Sequence, residues 1–293
     1  MTLTDLLEEL GIPFKRNGES GKVSARWLGV SCPWCDHPGT YLGIPQNGGR
    51  IASCWSCGVH SLTNSLARLS GLPESRIRAL AGQLVRGSSW PEKPRQRAGL
   101  RKPTGIGPLG PAHRAYLQGR GFDPDVLERL WKVQGIGWDG GRHAWTLYVP
   151  IFLDGQEVSF VCRRVNDDDF ERRYVAATAD EEAVNHRDCL YGVDLCRHSV
   201  VVTEGVTNVW RIGPGAVATF GVKWNRIQVC RLARFAVRAI VFDQEPAAQE
   251  RAVALCRQLE SFEGVTELVE LSGPDPATSP ESEIQELRRR YLE

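Results

Sequence analysis

The sequence has no run of about 18 apolar residues, which excludes a helix long and apolar enough to cross a membrane. Its first residues, MTLTDLLEELG, lack the basic region and the cleavage site of a secretion signal. We therefore expect a cytoplasmic protein with no membrane partner.

A complete phosphate-binding loop is also missing. Gly18-Glu-Ser-Gly21-Lys22 ends like such a loop, but Arg16 stands where the motif requires its first glycine. We therefore expect no ATP-driven motor in this sequence.

Net charge is small, at +1, but it is unevenly distributed. The first 110 residues hold 14 Lys and Arg against 7 Asp and Glu, and the remainder holds 22 against 28. A basic front and an acidic rear suit a protein that grips phosphate with one part and metal ions with the other. Ordinary fluctuation of charge along a chain explains the same numbers, so composition leaves both interpretations open.

Two apolar, β-branched runs each end in acidic residues. Ser199–Thr203 is followed by Glu204, and Ala239–Phe242 is followed by Asp243 and Glu245. Apolar and helical segments alternate between them, which predicts a parallel α/β sheet. Because the carboxyl ends of parallel strands share one edge of a sheet, we expect these carboxylates to gather there and hold divalent cations.

Four cysteines form two pairs with metal-ligand spacing. Cys32-Pro-Trp-Cys35 and Cys54-Trp-Ser-Cys57 are separated by eighteen residues. Each pair can aim two thiolates at one point, so two pairs complete a tetrahedral site, and the spacing predicts a structural Zn²⁺. A disulfide framework or a redox pair is the alternative, but a cytosolic context and two copies flanking a hairpin disfavour both.

Aromatic and basic residues cluster around the cysteines. Trp27, Trp34, Trp55 and Tyr41 are interleaved with cations, including Arg50. This combination suits single-stranded nucleic acid, because bases stack on rings and phosphates pair with cations. Burial as the core of a small zinc domain explains the tryptophans equally well.

Composition suggests four regions. Residues 1–86 contain the cysteines and a helical stretch, and residues 87–111 form a linker rich in Pro, Gly and Arg. Residues 112–198 combine helices with strands, and residues 199–293 hold the parallel sheet. We therefore expect α/β and α+β domains in one chain, with a tethered N-terminal zinc ribbon that moves relative to the rest.

A hairpin is predicted in the third region. Two alternating runs flank Asp154-Gly155, a favoured hairpin turn. The second run ends in Arg163 and Arg164, which must face opposite sides of the sheet. The arginine that faces a cleft could hold a triphosphate or a template backbone, and a solvated edge strand is the alternative.

The acids together suit phosphoryl chemistry. Two divalent ions about 4 Å apart align the attacking and leaving oxygens at an α-phosphate and neutralise its charge. Glu204, Asp243 and Glu245 offer the carboxylates for such ions. Asp275, at a further predicted strand end, is either a fourth ligand or a helix cap.

The chain resembles the DnaG-type primases. VVVTEG, ATFG and IVFDQE, in residues 200–245, look like the TOPRIM domain of primases, whose acids bind catalytic magnesium. LYVPIFLDGQEVSFVCRRV, followed by CLYGVDL, is similar to the amino-terminal half of the primase polymerase core. The paired cysteines resemble the primase zinc ribbon, in the four-cysteine form of phage helicase-primases.

This resemblance implies roles for particular residues. Glu204, Asp243 and Glu245 fall on the catalytic acids that bind Mg²⁺ or Mn²⁺, and Arg163 or Arg164 falls near the nucleotide-binding cations. The zinc ligands of the family fall on four cysteines: Cys32, Cys35, Cys54 and Cys57. Two departures weaken the acidic cluster, since Glu245 replaces an aspartate and Asn208 stands where the family often has an acid.

The predicted function is therefore a DNA primase, a nucleotidyltransferase that makes short RNA primers in DNA replication. Its partners would be single-stranded DNA, ribonucleoside triphosphates and, since no motor is encoded here, a separate replicative helicase or a missing helicase half. One alternative is a weakened, primase-derived DNA-binding or scaffold protein. Another is a TOPRIM nuclease.

Overall fold

The computed structural model describes residues 1–19, 23–35, 37–86, 99–165 and 173–293. The first part of the predicted linker, residues 87–98, lies outside the described residues. Within them, the strands form three sheets, two of them antiparallel and one parallel. None of the described helices is both long and apolar enough to span a membrane.

The N-terminal region is built on a four-stranded antiparallel sheet. Helix α1 (Leu3–Glu9) precedes it, and Thr2 caps this helix, because its hydroxyl accepts from the Asp5 N–H at 3.2 Å. The strands are β1 (Trp27–Val30), β2 (Leu42–Pro45), β3 (Ile51–Cys54) and β4 (Gly58–Ser61), in that order across the sheet. The helices α2 (Leu62–Ser70), α3 (Glu74–Ala81) and α4 (Gln83–Arg86) follow.

The middle region is a five-stranded antiparallel sheet with two helices. Its elements are β5 (Ile106–Gly107), α5 (Pro111–Gly119), α6 (Pro124–Trp131), β6 (Gln134–Ile136), β7 (Thr146–Leu153), β8 (Gln156–Arg164) and β9 (Tyr174–Ala176). Asp154 and Gly155 both have positive φ, so the predicted hairpin turn is present. Strand β5 lies inside the predicted linker. Its two residues pair with β6, and the sequence did not predict it because two residues are too few to give a periodic pattern.

The C-terminal region is the predicted parallel sheet. Its elements are β10 (Ser199–Thr203), α7 (Val206–Ile212), β11 (Ala216–Ala218), α8 (Arg226–Leu232), β12 (Val237–Ile240), α9 (Pro246–Leu259), β13 (Val265–Leu268) and α10 (Glu281–Tyr291). The order β11-β10-β12-β13 places β10 and β12 side by side. Strand β12 begins and ends two residues before the predicted run Ala239–Phe242. The carboxyl ends of β10 and β12 are therefore neighbours.

The N-terminal region packs against the parallel-sheet region, whereas the sequence predicted a tethered module that moves relative to the rest. The Ser61 N–H donates to the Ser261 hydroxyl at 3.2 Å, and the Asn64 amide donates to the Ser261 carbonyl at 2.8 Å. Ile51 and Val59 are buried in the same apolar cluster as α8 and α9. These contacts join residues about 200 positions apart, which no local sequence pattern reveals.

Gly58 permits the closest approach between these two regions. It has φ +95°, and a Cβ there would lie 2.2 Å from the Gln258 side-chain nitrogen. Any other residue would strain the backbone and force the Gln258 side chain of α9 to move.

Candidate zinc centre and catalytic cleft

The four cysteines of the paired motifs converge on one point. Cys32 Sγ lies 3.6 Å from Cys57 Sγ, and Cys35 Sγ lies 3.8 Å from Cys54 Sγ. Four sulfurs at the usual Zn–S distance of about 2.3 Å would be about 3.8 Å apart in a tetrahedron. No disulfide joins them. The donor set and its geometry therefore fit a structural zinc ion.

His60 supports this cluster from behind. Its Nε2 lies 3.0 Å from Cys57 Sγ, and its ring stacks on Trp34 at 5.1 Å. Burial lowers the pKa of His60 to about 4, so the ring is neutral. A zinc-bound Cys57 thiolate can only accept a hydrogen bond, so Nε2 would carry the proton and donate to it. Such a hydrogen bond orients a ligand and reduces repulsion between thiolates. Nothing in the spacing of the cysteines points to His60.

Replacing His60 with alanine should weaken zinc retention by about tenfold or more, because Cys57 loses its hydrogen bond and Trp34 its stacking partner. Competition with a colorimetric chelator at pH 7 measures the effect. His37→Ala is the matched control, since His37 is exposed and stacks only on Tyr41. Equal retention by the two variants would contradict the supporting role of His60.

The tryptophans of the ribbon divide between the two interpretations left open by the sequence. Trp34 is partly buried, and its ring N–H donates to the Ser65 hydroxyl at 2.9 Å, so it is a structural residue. Trp27 is also partly buried and packs over Gly43. Trp55 is 78% exposed. Only Trp55, of these three, offers an open ring face.

A cleft opens where the parallel strands end. It has a volume of about 500 Å³, and both acidic and basic side chains line it. Glu204 follows β10 and Asp243 follows shortly after β12, as the sequence predicted. The Asp243 N–H donates to Glu204 Oε1 at 3.0 Å. The Glu204 carboxylate therefore connects the end of β10 to the segment that follows β12.

Both carboxyl groups hold protons more tightly than usual. Burial, with the neighbouring Asp243 charge, raises the pKa of Glu204 to about 7. Burial, with the charge of Asp275, raises the pKa of Asp243 to about 6. Clustered, half-buried carboxylates with raised pKa values are typical of functional sites, because a bound cation would relieve their repulsion.

Asn208 joins this pair of acids. It is buried on α7, and its amide donates to Asp243 Oδ1 at 3.1 Å. This hydrogen bond lowers the pKa of Asp243, although burial outweighs it. Asn208 therefore orients Asp243 without adding charge.

The two remaining acids occupy more peripheral positions. Glu245 is exposed at the start of α9, while its charge still raises the pKa values of Glu204 and Asp243. Asp275 lines the cleft, and its carboxylate also accepts from the Thr278 N–H at 2.8 Å. Asp275 thus serves as a turn cap and adds negative charge to the cleft.

Of the two adjacent arginines, Arg163 faces the cleft and Arg164 does not line it. Arg163 is only 5% exposed, its Nε donates to the Tyr116 hydroxyl at 2.7 Å, and its guanidinium lies 4.9 Å from the Tyr174 ring centroid. A cation fixed in this way is suited to bind phosphate. The sequence could not choose between the two arginines, because the direction of each depends on sheet pairing.

Other cleft residues were not predicted from the sequence. Arg187 donates to the Phe220 carbonyl at 2.7 Å, and Phe220 has a positive φ of 62°, which is strained for a bulky residue. His186 is held by the buried Glu182, whose carboxylate lies 3.1 Å from the ring Nδ1. Arg120 and Arg173 complete the basic wall. His186 and Arg187 are adjacent, whereas Arg120 and Arg173 lie in other segments, so no spacing relates the three segments.

The carboxylate oxygens of the cleft acids are hard ligands, which is the type of ligand that divalent cations such as Mg²⁺ prefer. Their arrangement is more open than that of the cysteines. Across the described ranges, the cysteines are the only group of three or more potential ligands whose donor atoms lie within 4.8 Å of one another.

The raised pKa of Glu204 predicts a pH-dependent stability. The folded protein keeps the proton up to about pH 7, whereas the unfolded chain releases it near 4.5, so stability falls as pH rises through this window. We expect Glu204→Gln to stabilise the metal-free cleft at pH 8 by on the order of 1 kcal/mol after solvent screening, and by less near pH 4.5. Urea unfolding at both pH values measures this, and a pH-independent difference would contradict it.

The chain has the fold of primase zinc-binding and RNA polymerase domains. It is similar to the zinc-binding and RNA polymerase domains of the Aquifex aeolicus primase, at 14% identity over 99% of this chain and 83% of that chain, with a TM-score of 0.52. It is also similar to the RNA polymerase domain of Mycobacterium tuberculosis primase DnaG, at 21% identity over 62% and 78% of the two chains, with a TM-score of 0.50.

A third structure, the primase fragment of the bacteriophage T7 primase-helicase, is matched at 15% identity over 89% of this chain and 97% of that chain, with a TM-score of 0.43. No protein-family model matches the sequence, and no curated protein is similar to it. The likeness to the Aquifex aeolicus and Mycobacterium tuberculosis domains shows the fold alone, so the residues of the cleft must decide the chemistry.

Proposed function

We propose that this protein is a DNA primase that makes short RNA primers on single-stranded DNA by metal-dependent nucleotidyl transfer. The observation that carries the proposal is the cleft itself. Glu204 and Asp243 meet at adjacent strand ends and face a basic wall that includes the buried Arg163. Carboxylates for metal opposite cations for phosphate are the parts that phosphoryl transfer requires.

Within this proposal, Glu204, Asp243 and Glu245 would hold Mg²⁺ or Mn²⁺, with Asp275 as a further acid nearby. The metal, when bound, would neutralise charge at the attacked phosphate and align the attacking and leaving oxygens. Arg163, fixed by Tyr116, would hold a nucleotide phosphate. Arg187, which also lines the cleft, would contribute a second cation.

The domain assignment belongs to the same proposal. Residues 1–86 would be a template-recognition zinc ribbon, residues 87–111 a linker, residues 112–198 the first half of the polymerase core and residues 199–293 a TOPRIM domain. Ribonucleoside triphosphates and a single-stranded template would be the substrates, and a separate replicative helicase would supply the unwound template.

The direct test is primer synthesis from ribonucleoside triphosphates on a single-stranded oligonucleotide, with Mg²⁺ and with Mn²⁺. We expect short RNA products whose sequence follows the template. No product with either metal would contradict the proposal, and nicking or relaxation of a plasmid would favour a nuclease.

A weakened, non-catalytic relative is the second candidate, and the Asn208 amide on Asp243 favours it. If Asn208 limits metal binding, Asn208→Asp should lower the Mn²⁺ concentration for half-maximal synthesis severalfold, because it adds a carboxylate beside Asp243. Asn208→Leu, similar in size and uncharged, is the matched control. A scaffold protein would make no primer in any of these forms.

A further inference from the structure

A second cavity lies between the zinc ribbon and the parallel-sheet region. It measures about 700 Å³, and we call it the knuckle groove because residues 56–58 of the second cysteine motif form one wall. The opposite wall consists of residues 222–226 and one face of α9. The groove exists only because the ribbon is packed against α8 and α9.

Four cations line the knuckle groove, and all four side chains are exposed: Lys223, Arg226, Arg251 and Arg257. No described carboxylate lies within 4.0 Å of their charged groups. The described lining residues include no acid. Four cations that share a groove without counter-charges create a positive potential that suits a polyanion.

Aromatic rings accompany these cations. The Trp224 ring N–H donates to Gln258 Oε1 at 2.8 Å, which fixes the ring in the groove wall. A smaller adjoining pocket shares Gly58 and Arg226 with the groove and is lined by the exposed Trp55. Rings beside a row of cations are the combination that binds single-stranded nucleic acid.

Consecutive residues of one segment line the catalytic cleft and the knuckle groove. Phe220 and Gly221 line the cleft, and the next five residues, from Val222 to Arg226, line the groove. Lys223, the first groove cation, is therefore two residues from Gly221. The groove adjoins the cleft through this segment, and its opposite wall belongs to the zinc ribbon.

We propose that the knuckle groove binds the single-stranded DNA template between the catalytic cleft and the zinc ribbon. The phosphates would pair with the four groove cations, and one base would stack on Trp55. The role as a template path rests on the proposed function, whereas binding of single-stranded DNA is independent of it. Double-stranded DNA is the competing ligand.

The test uses the zinc-loaded full chain and a fluorescent 20-nucleotide single strand. The variant Arg226→Ala/Arg251→Ala/Arg257→Ala should bind about tenfold or more weakly, and the slope of log affinity against log salt should fall by about 2, since each phosphate contact contributes roughly 0.7. Trp55→Ala should weaken binding about fivefold without changing that slope, because it removes stacking alone.

The matched control removes the same charge elsewhere. Arg129, Arg197 and Arg289 are exposed and lie outside the groove, so their triple alanine variant should bind within about twofold of wild type at moderate salt. Zinc content and circular dichroism verify that each variant is folded.

Three results would overturn the groove assignment. They are wild-type affinity and slope in the groove variant, an equal loss in the control variant, and tighter binding of duplex than of single strand. Primer synthesis separates this inference from the proposed function. If the wild type makes no primer but the groove variant binds single strands more weakly than the wild type, the groove assignment stands and the proposed function fails. If the wild type makes primers and the groove variant binds single strands as the wild type does, the groove assignment alone fails.

Discussion

Replacing Asp243 with alanine should reduce primer synthesis at least about 100-fold with either Mg²⁺ or Mn²⁺, because the central metal-binding carboxylate is lost. The Asp243 carboxylate also accepts from the Asn208 amide, and its loss frees that amide. The backbone N–H of residue 243 still donates to Glu204 in the alanine variant, so Glu204 keeps its anchor. Removing a half-buried carboxylate whose pKa is raised to about 6 should not destabilise the fold. The defect should therefore lie in chemistry and metal binding.

The measurement is primer yield per minute across a metal titration, with Glu270→Ala as the matched control. Glu270 is an exposed acid on the same sheet region and does not line the cleft, so its variant should keep wild-type activity. Asp275→Ala should give a smaller loss, because part of its role is to cap the Thr278 turn. An Asp243→Ala protein with wild-type primer yield would show that the cleft is not the catalytic site.

Zinc removal should have the largest effect on stability. A structural zinc ion contributes on the order of 10 kcal/mol, far more than the small apolar core of the ribbon can replace. We expect Cys32→Ser, or a strong chelator, to unfold residues 27–61 and to release them from α9. The parallel sheet, which has its own buried strands, should remain folded.

Hydrogen exchange resolved by peptide, together with metal analysis, measures this outcome. Protection should vanish in the ribbon strands and fall in the part of α9 that faces them. Cys196→Ser is the matched control, since Cys196 lies outside the cluster and its thiol donates to the Gly192 carbonyl at 3.6 Å. A Cys32→Ser protein with one bound zinc and native protection would refute a structural metal at this site.

The sequence predicted the parts of the site that depend on local spacing or on strand direction. Paired cysteines two residues apart can converge only in tight turns, and acids after parallel strands must share an edge. The bounds of β12 were predicted two residues too late, because an apolar run reports burial and not strand pairing. Val241 and Phe242 stay buried after the pairing ends.

The remaining features depend on contacts between distant residues. Arg163 is distinguished from Arg164 by Tyr116, which lies 47 residues earlier. The knuckle groove needs α9 to meet a ribbon strand about 200 positions away, and strand β5 is defined only by its partner. Helical and strand periodicities describe single elements, so they cannot report which elements meet.

The shared apolar cluster of the ribbon and α9 has a consequence for biosynthesis. The ribbon emerges from the ribosome first, whereas Ser261 and the helix before it emerge 200 residues later. At about 5–20 residues per second, this interval lasts roughly 10–40 s, during which Ile51 and Val59 lack their final partners. Zinc bound early would keep the ribbon of the nascent chain folded until α9 is synthesised. We therefore expect zinc-starved cells to accumulate aggregated chains.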